Sequence, residues 1–269
     1  MKDNEYLAMF KMKLIEGFQY RAAALAGIAT QFFFGFMFLM IYYAFYQGSA
    51  EAQPMTFAEL ASYNWLRQAF LAAFVMWSQD NELLESITSG HVAYEFCRPY
   101  RLYELWYSRL MAQRLAAVLM RCLPIIAIAS LLPAPWRLNP PDSALSLFLF
   151  IISISLGVLI ATGVSMFVYI FTFLTMSPSG VRLVIVTMTE FLSGSILPAP
   201  LMPPMLQKVL YALPFVYTAD MPFRVYSGHI APREAFMNIG VQILWVVILF
   251  AVGKWCFYKI ARRVVIQGG

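Results

Sequence analysis

Three ionisable residues, Arg67, Arg121 and Glu190, stand inside stretches of this 269-residue chain that are otherwise apolar. A charge at the centre of a bilayer costs about 2.5–3.5 kcal/mol on insertion scales, so each must face a protein interior or a wet cavity. Two kinds of chemistry fit: an interhelical ion pair, with Glu190 taking Arg67 or Arg121 as partner, or polar contact along a substrate path. Arg109, Arg114 and Arg182 lie nearer the ends of their stretches, where a long side chain can snorkel outward. Catalytic groups are not indicated. His91 and His229 fall on opposite sides of any membrane arrangement and cannot share a metal or a nucleophile–base pair. Cys97, Cys122 and Cys256 form neither a CxxC pair nor a Cys/His cluster of metal-ligand spacing. With no GxxxxGK[ST] phosphate loop, ATP has to be bound by another chain, and no cofactor or metal is assigned to this one.

A second constellation lies in QDNELLESITSGHVAYEFCRPYRLYELW, where a short helix is expected around 80–88 within a segment of about 79–92. Leu83, Leu84 and Ile87 form one patch, and Asp80, Glu82 and Glu85 an acidic rim. Gly90 is a C-terminal stop, and Pro99 prevents continuation. Such a helix suits docking into a groove of a cytosolic partner, with a solvated turn as the plain alternative. A third feature is LSGSILPAPLMPPMLQKVLYALPFV, which holds five of the fifteen prolines: Pro198, Pro200, Pro203, Pro204 and Pro214. Proline removes a backbone donor and clashes with the preceding turn, so no straight span fits here. Because Leu206, Val209, Leu210 and Leu213 keep helical spacing, a broken re-entrant hairpin over about 197–216 is expected, rather than a loose loop.

The elements that must position these groups follow from composition. The chain is 61% hydrophobic and 12% charged, with a mean hydropathy of +0.68, against about 45–50% apolar and about 25% charged in soluble domains. That excludes an ordinary soluble protein. The net charge of +5 is unclustered, which argues against nucleic acid as a partner. Stretches of about 20 apolar residues, enough for about 30 Å of hydrocarbon, occur near 22–46, 59–78, 107–132, 144–174, 181–197 and 235–258. Six spans are therefore expected, the second interrupted by Glu59 and Arg67. The first ends in Tyr42, Tyr43 and Tyr46, suited to a headgroup interface. Aromatics such as Phe32, Phe33, Phe34, Phe36, Phe38, Tyr169 and Phe171 fill a bundle or face lipid more often than they line a path.

Orientation follows from basic residues. With both termini inside, the cytosolic segments hold Lys2, Lys11, Lys13, Arg21, Arg98, Arg101, Lys254, Lys259, Arg262 and Arg263, and the outer loops hold Arg137, Lys208, Arg224 and Arg233. Residues 1–21 place Leu7, Phe10, Leu14 and Phe18 at helical spacing beside lysines, the pattern of an amphipathic helix lying in the inner interface. Residues 22–269 then form one transmembrane domain. The whole is an all-α membrane protein with an interfacial helix, six spans, a cytosolic docking helix and a re-entrant hairpin before the last span.

In this order the segments resemble the permease subunits of ABC transporters of the ABC-2 type, closest to the six-span bacterial branch of drug or viologen exporters. The resemblance runs nearly end to end and rests on ITSGHVAYEFCRPYRLYELWYSR at 87–109, FLSGSILPAPLMPPMLQKVLYALPFVYTADMPFRVYSGHI at 191–230, and the terminal RRVVIQGG. Where that branch carries Leu-Leu before Arg-Pro, this chain has Glu95, Phe96 and Cys97. The resemblance implies the type-2 exporter fold, with the docking helix as the coupling helix that contacts an ATPase. It also implies two ATP-binding subunits, carrying ATP and magnesium, and a second permease, a related chain in preference to an identical copy. The place implied is the bacterial cytoplasmic membrane, where export of an amphiphilic or hydrophobic substrate is expected. Competing readings are a membrane anchor or sensor that uses an ATPase without solute flux, and an ion-driven carrier without an ATPase.

Overall fold

A computed structural model of the protein describes residues 3–19, 21–48 and 53–262. Lys2, Arg263 and the terminal motif beyond Arg262 lie outside them. Every regular element among the described residues is helical. In chain order these are α1 (Asp3–Gly17), α2 (Arg21–Gly48), α3 (Phe57–Phe74), α4 (Asn81–Thr88), α5 (Val92–Phe96), α6 (Leu102–Ser130), α7 (Ala144–Thr175) and α8 (Pro178–Leu192). A 3-10 turn (Ala199–Leu201) follows, then α9 (Pro204–Tyr211), α10 (Asp220–Tyr226) and α11 (Pro232–Ala261).

Four helices, α2, α6, α7 and α11, are long and apolar enough to cross a membrane. At the second and fifth expected spans stand shorter helices, α3 with 18 residues and α8 with 15, about 27 and 22 Å at 1.5 Å per residue. The polarity of α3 has a physical reason. It is enclosed by α2, α6, α7 and α10, so it presents little surface to lipid and several of its polar groups find partners inside. Buried Asn64 donates to the Gly35 carbonyl at 3.0 Å. Glu59, which interrupts the apolar run, is a capping residue: the Thr56 amide donates to its carboxylate at 2.7 Å and the Glu59 amide donates to the Thr56 hydroxyl at 3.2 Å, closing a capping box at the helix start.

Trp65 of α3 centres one core. Phe32 and Phe36 of α2 pack their rings against it at 5.5 and 5.2 Å, and its indole N–H donates to the Trp136 carbonyl at 2.7 Å. Phe33 remains exposed on the outside of α2, as a lipid-facing residue would. A second core joins α6, α7 and α11 through Trp106, Tyr169, Phe173 and Phe257. Along α7, Gly157 admits the Thr218 carbonyl so closely that a Cβ there would collide with it. Two of the three tyrosines at the end of α2 turn inward, while Tyr43 stays exposed: Tyr42 donates to the Ile196 carbonyl at 3.2 Å and Tyr46 to the Met55 carbonyl at 2.8 Å.

The bundle has two distinct ends. One carries α1, α4 and α5; the other carries the 3-10 turn, α9 and α10. Each proline of the latter stretch sits at an element boundary or inside a turn. Pro198 precedes the 3-10 turn that contains Pro200, Pro203 and Pro204 open α9, and Pro214 is buried in the turn before α10. This irregular stretch is anchored by Asp220, fully buried. Its carboxylate pairs with Arg224 at 2.8 Å and accepts from the Tyr63 hydroxyl and the Ala199 amide, both at 3.0 Å. Leaving one partner of a buried charge pair alone costs about 3–5 kcal/mol. Asp220→Ala should therefore lower the thermal midpoint of the detergent-solubilised chain more than Tyr63→Phe, which removes one hydrogen bond to a charged group, worth about 1.5–3 kcal/mol. Equal midpoints for the two variants would count against this anchor.

Candidate functional site

The site is assembled around Asp80, the residue before α4. Its side chain accepts the Leu83 amide at 3.3 Å, an N-cap that starts the helix. The same carboxylate accepts Nε and Nη2 of Arg109 at 2.6 and 2.9 Å and Nε2 of Gln113 at 2.6 Å, both from α6. The Asp80 amide donates to the Tyr169 hydroxyl of α7 at 2.9 Å, and that hydroxyl donates to Gln79 Oε1 at 3.2 Å. Asp80 thus ties α4 to two long helices, its carboxylate to α6 by charge-assisted bonds and its backbone amide to α7. At its other end, α4 stops at Gly90, whose φ of +81° is the left-handed conformation expected of a helix-ending glycine.

The apolar patch of α4 points inward. Leu83, Leu84 and Ile87 are buried against Trp106, Tyr169 and Phe173, so they hold the helix down and are not presented to a partner. What α4 presents outward is Asn81, Glu82, Glu85 and Ser89, flanked by Trp77 and Tyr94, 63% and 73% exposed. Glu82 also leans back. It pairs with Arg109 and with Lys13 of α1 at 3.5 Å. Its carboxyl is held below the ordinary carboxylate range, first by the Arg109 hydrogen bond and then by the charges of Arg109 and Lys13. Glu85 is therefore the expected acidic residue left without such a tie on the exposed face.

Next to α4 a cavity of about 570 Å³ opens between α1, the end of α3 and α6. Lys13, Arg109, Arg114 and Arg121 line it together with Glu16, Asp80 and Glu82. Arg109 and Arg114, expected to snorkel, do not. Arg109 is bound to Asp80, and Arg114 is buried, donating to the Ala73 carbonyl and the Ser165 hydroxyl and, at 3.3 Å, to the Val75 carbonyl. It thereby caps the C-terminal carbonyls of α3, which would otherwise lack partners. Arg182 donates to Asn81 Oδ1 at 2.9 Å.

The three intramembrane charges do not converge. Arg121 faces this cavity. Arg67 lies under α2 with its guanidinium 4.1 Å from the Phe38 ring, and Glu190 is exposed on α8. The expected pairing of Glu190 with Arg67 or Arg121 is not made within the described residues, because α8 leans on α7 and stays away from α3 and α6. Lys13, Gln113 and Arg114 were not foreseen as site residues. Arg109 and Gln113 are four residues apart on one face of α6, a spacing signal visible in the sequence. Along the segment 1–21, Leu7 and Phe18 are exposed and Phe10 and Leu14 half-buried, while Lys13 is buried.

Residues 23–268 match the model of a family described as ABC-2 family transporter protein. No curated protein matches the chain.

Because the carboxyl of Glu82 is depressed, its tie to Arg109 and Lys13 is complete above the ordinary carboxylate range and is lost as pH falls through the lowered value. The protection factors of the α4 amides, taken relative to intrinsic exchange at each pH, should fall on acidification through that lowered value. Arg109→Ala should lower them already at neutral pH. Protection of residues 81–89 equal to that of the unmodified chain would contradict the assignment.

Proposed function

The chain belongs to the ABC-2 transporter family, and from that premise we propose that it is the permease subunit of an ATP-driven exporter, moving an amphiphilic or hydrophobic substrate out across a bacterial cytoplasmic membrane. The family implies a multi-pass membrane protein partnered by an ABC ATPase. The finer reading counts α3 and α8 as the second and fifth of six spans and the 3-10 turn with α9 as a re-entrant hairpin. Both termini and α4 face the cytosol. Residues 1–21 are an interfacial helix, and residues 22–269 the permease domain. Two ATP-binding subunits, carrying ATP and magnesium, and a second, related permease complete the complex.

One observation carries this reading: α4 is a short helix clamped rigidly to two long helices at one end of the bundle while offering an acidic outer face. The Asp80 carboxylate and the buried Leu83 and Ile87 make the helix a lever, since force on its outer face passes directly to α6 and α7. Glu85 and Glu82, with Gly90 ending the helix, are the surface on which an ATPase would bear. Closure of the ATPases on ATP would then tilt α6 and α7 and alternate access across the bundle, by differential contact with the two states.

Mild-detergent purification of the tagged chain from its native cell should bring down an ATP-binding protein together with a second permease in near-equal amount. Recovery of the chain alone would sink the reading. In the reconstituted complex, Glu85→Lys should leave assembly intact and lower substrate-stimulated ATP hydrolysis severalfold. Unchanged stimulation would remove Glu85 from the coupling face.

A further inference from the structure

The charges of the cavity beside α4 are unevenly distributed along its depth. At the mouth, Lys13 pairs with Glu16 at 2.8 Å, and Arg109 is held by Asp80 and Glu82, so cations and carboxylates offset one another. Farther in, the balance fails. Arg114 and Arg121 follow Arg109 on α6 by five and twelve residues, about 8 and 18 Å along the axis at 1.5 Å per residue. Neither forms an ion pair among the described residues. Arg114 is engaged by neutral groups, the Ala73 and Val75 carbonyls and the Ser165 hydroxyl. The Nε of Arg121 is buried without a hydrogen-bond partner, while its guanidinium lies close against Gly27 of α2, where an added Cβ would stand 3.0 Å from it. Ala72, Ala117 and Met120 supply an apolar wall beside these cations.

A buried cation without a counter-charge is costly, and an anion that enters the site recovers that cost. At about 570 Å³ the space falls within the range of about 300–1,000 Å³ typical of small-molecule sites. We propose that this cavity binds the phosphate group of an anionic amphiphile, with Arg121 as its deep cationic contact, the Arg114 charge beside it and the wall at Ala117 and Met120 against the start of the apolar part. Glu190, the carboxylate expected near Arg121, is exposed on α8 and does not line this cavity. That the occupant is the transported substrate rests on the permease reading; the binding itself does not.

The test uses the full-length chain in mild detergent, with native mass spectrometry to count bound lipid. The probes are phosphatidylglycerol and phosphatidylcholine of equal chain length, with glycerol phosphate as a soluble competitor. The unmodified chain should retain phosphatidylglycerol over phosphatidylcholine by roughly tenfold, the scale of a cation or two beside an anionic headgroup. Arg121→Gln should abolish most of that preference, and Arg121→Lys, which keeps the charge, should retain part of it. If glycerol phosphate alone displaces the lipid at equal concentration, the site stands and its source is a soluble phosphate; if only the intact lipid binds, the source is the leaflet. Equal retention of the two lipids, or an unaltered preference in Arg121→Gln, overturns the proposal. Co-purification of the ATPase with the same variants separates the two readings. A complete complex without anion preference would sink the site alone, and anion preference in a chain that captures no ATPase would sink the permease reading alone.

Discussion

The Asp80 carboxylate gathers more of the molecule than any other single group at its end of the bundle. It caps α4, takes the guanidinium of Arg109 in a two-pronged grip and accepts from Gln113, while its own amide reaches α7 through Tyr169. The charge-assisted bonds lose little to water because the side chain is almost wholly buried. Around it the apolar residues of α4 can pack inward. Without it, an eight-residue helix would be too short to persist by itself.

The opposite end is organised by the same physics with a different purpose. Asp220 holds Arg224, Tyr63 and the backbone at Ala199, and the proline-rich stretch between α8 and α10 is thereby fixed against α3. Irregular backbone within an apolar bundle is stable only when other protein groups satisfy it. Here the buried carboxylate and the tyrosines that donate to backbone carbonyls do so. The two carboxylates thus pin the two ends of the bundle, and α3, enclosed on several sides, connects them through its core around Trp65.

Between these pinned ends, the cationic side chains of α6 divide their work. Arg109 closes on carboxylates, Arg114 finishes the end of α3, and Arg121 meets no carboxylate among the described residues. A membrane helix retains such residues only when each has a use that offsets its desolvation. The first two uses are structural and visible in the hydrogen bonds; the third is met by a ligand in the reading developed above.

Much of this was legible in the sequence. Composition and apolar run lengths determine an all-helical membrane protein, since only helices satisfy a backbone that crosses lipid within one segment. The position of α4, its stop at Gly90 and the breaks at Pro198, Pro203 and Pro204 follow from local rules of capping and proline geometry. Tertiary structure alone decided which way things face. The patch of Leu83 and Ile87 has the same pattern whether it meets a partner or its own α7. Arg114 looks like a snorkelling residue until the end of α3 is placed beside it, and Glu190 looks like a partner for Arg121 until α8 is seen to lean on α7. Periodicity records that a helix has two faces, but what each face meets is set by the packing of helices distant in sequence, and a single chain's pattern does not contain that distance.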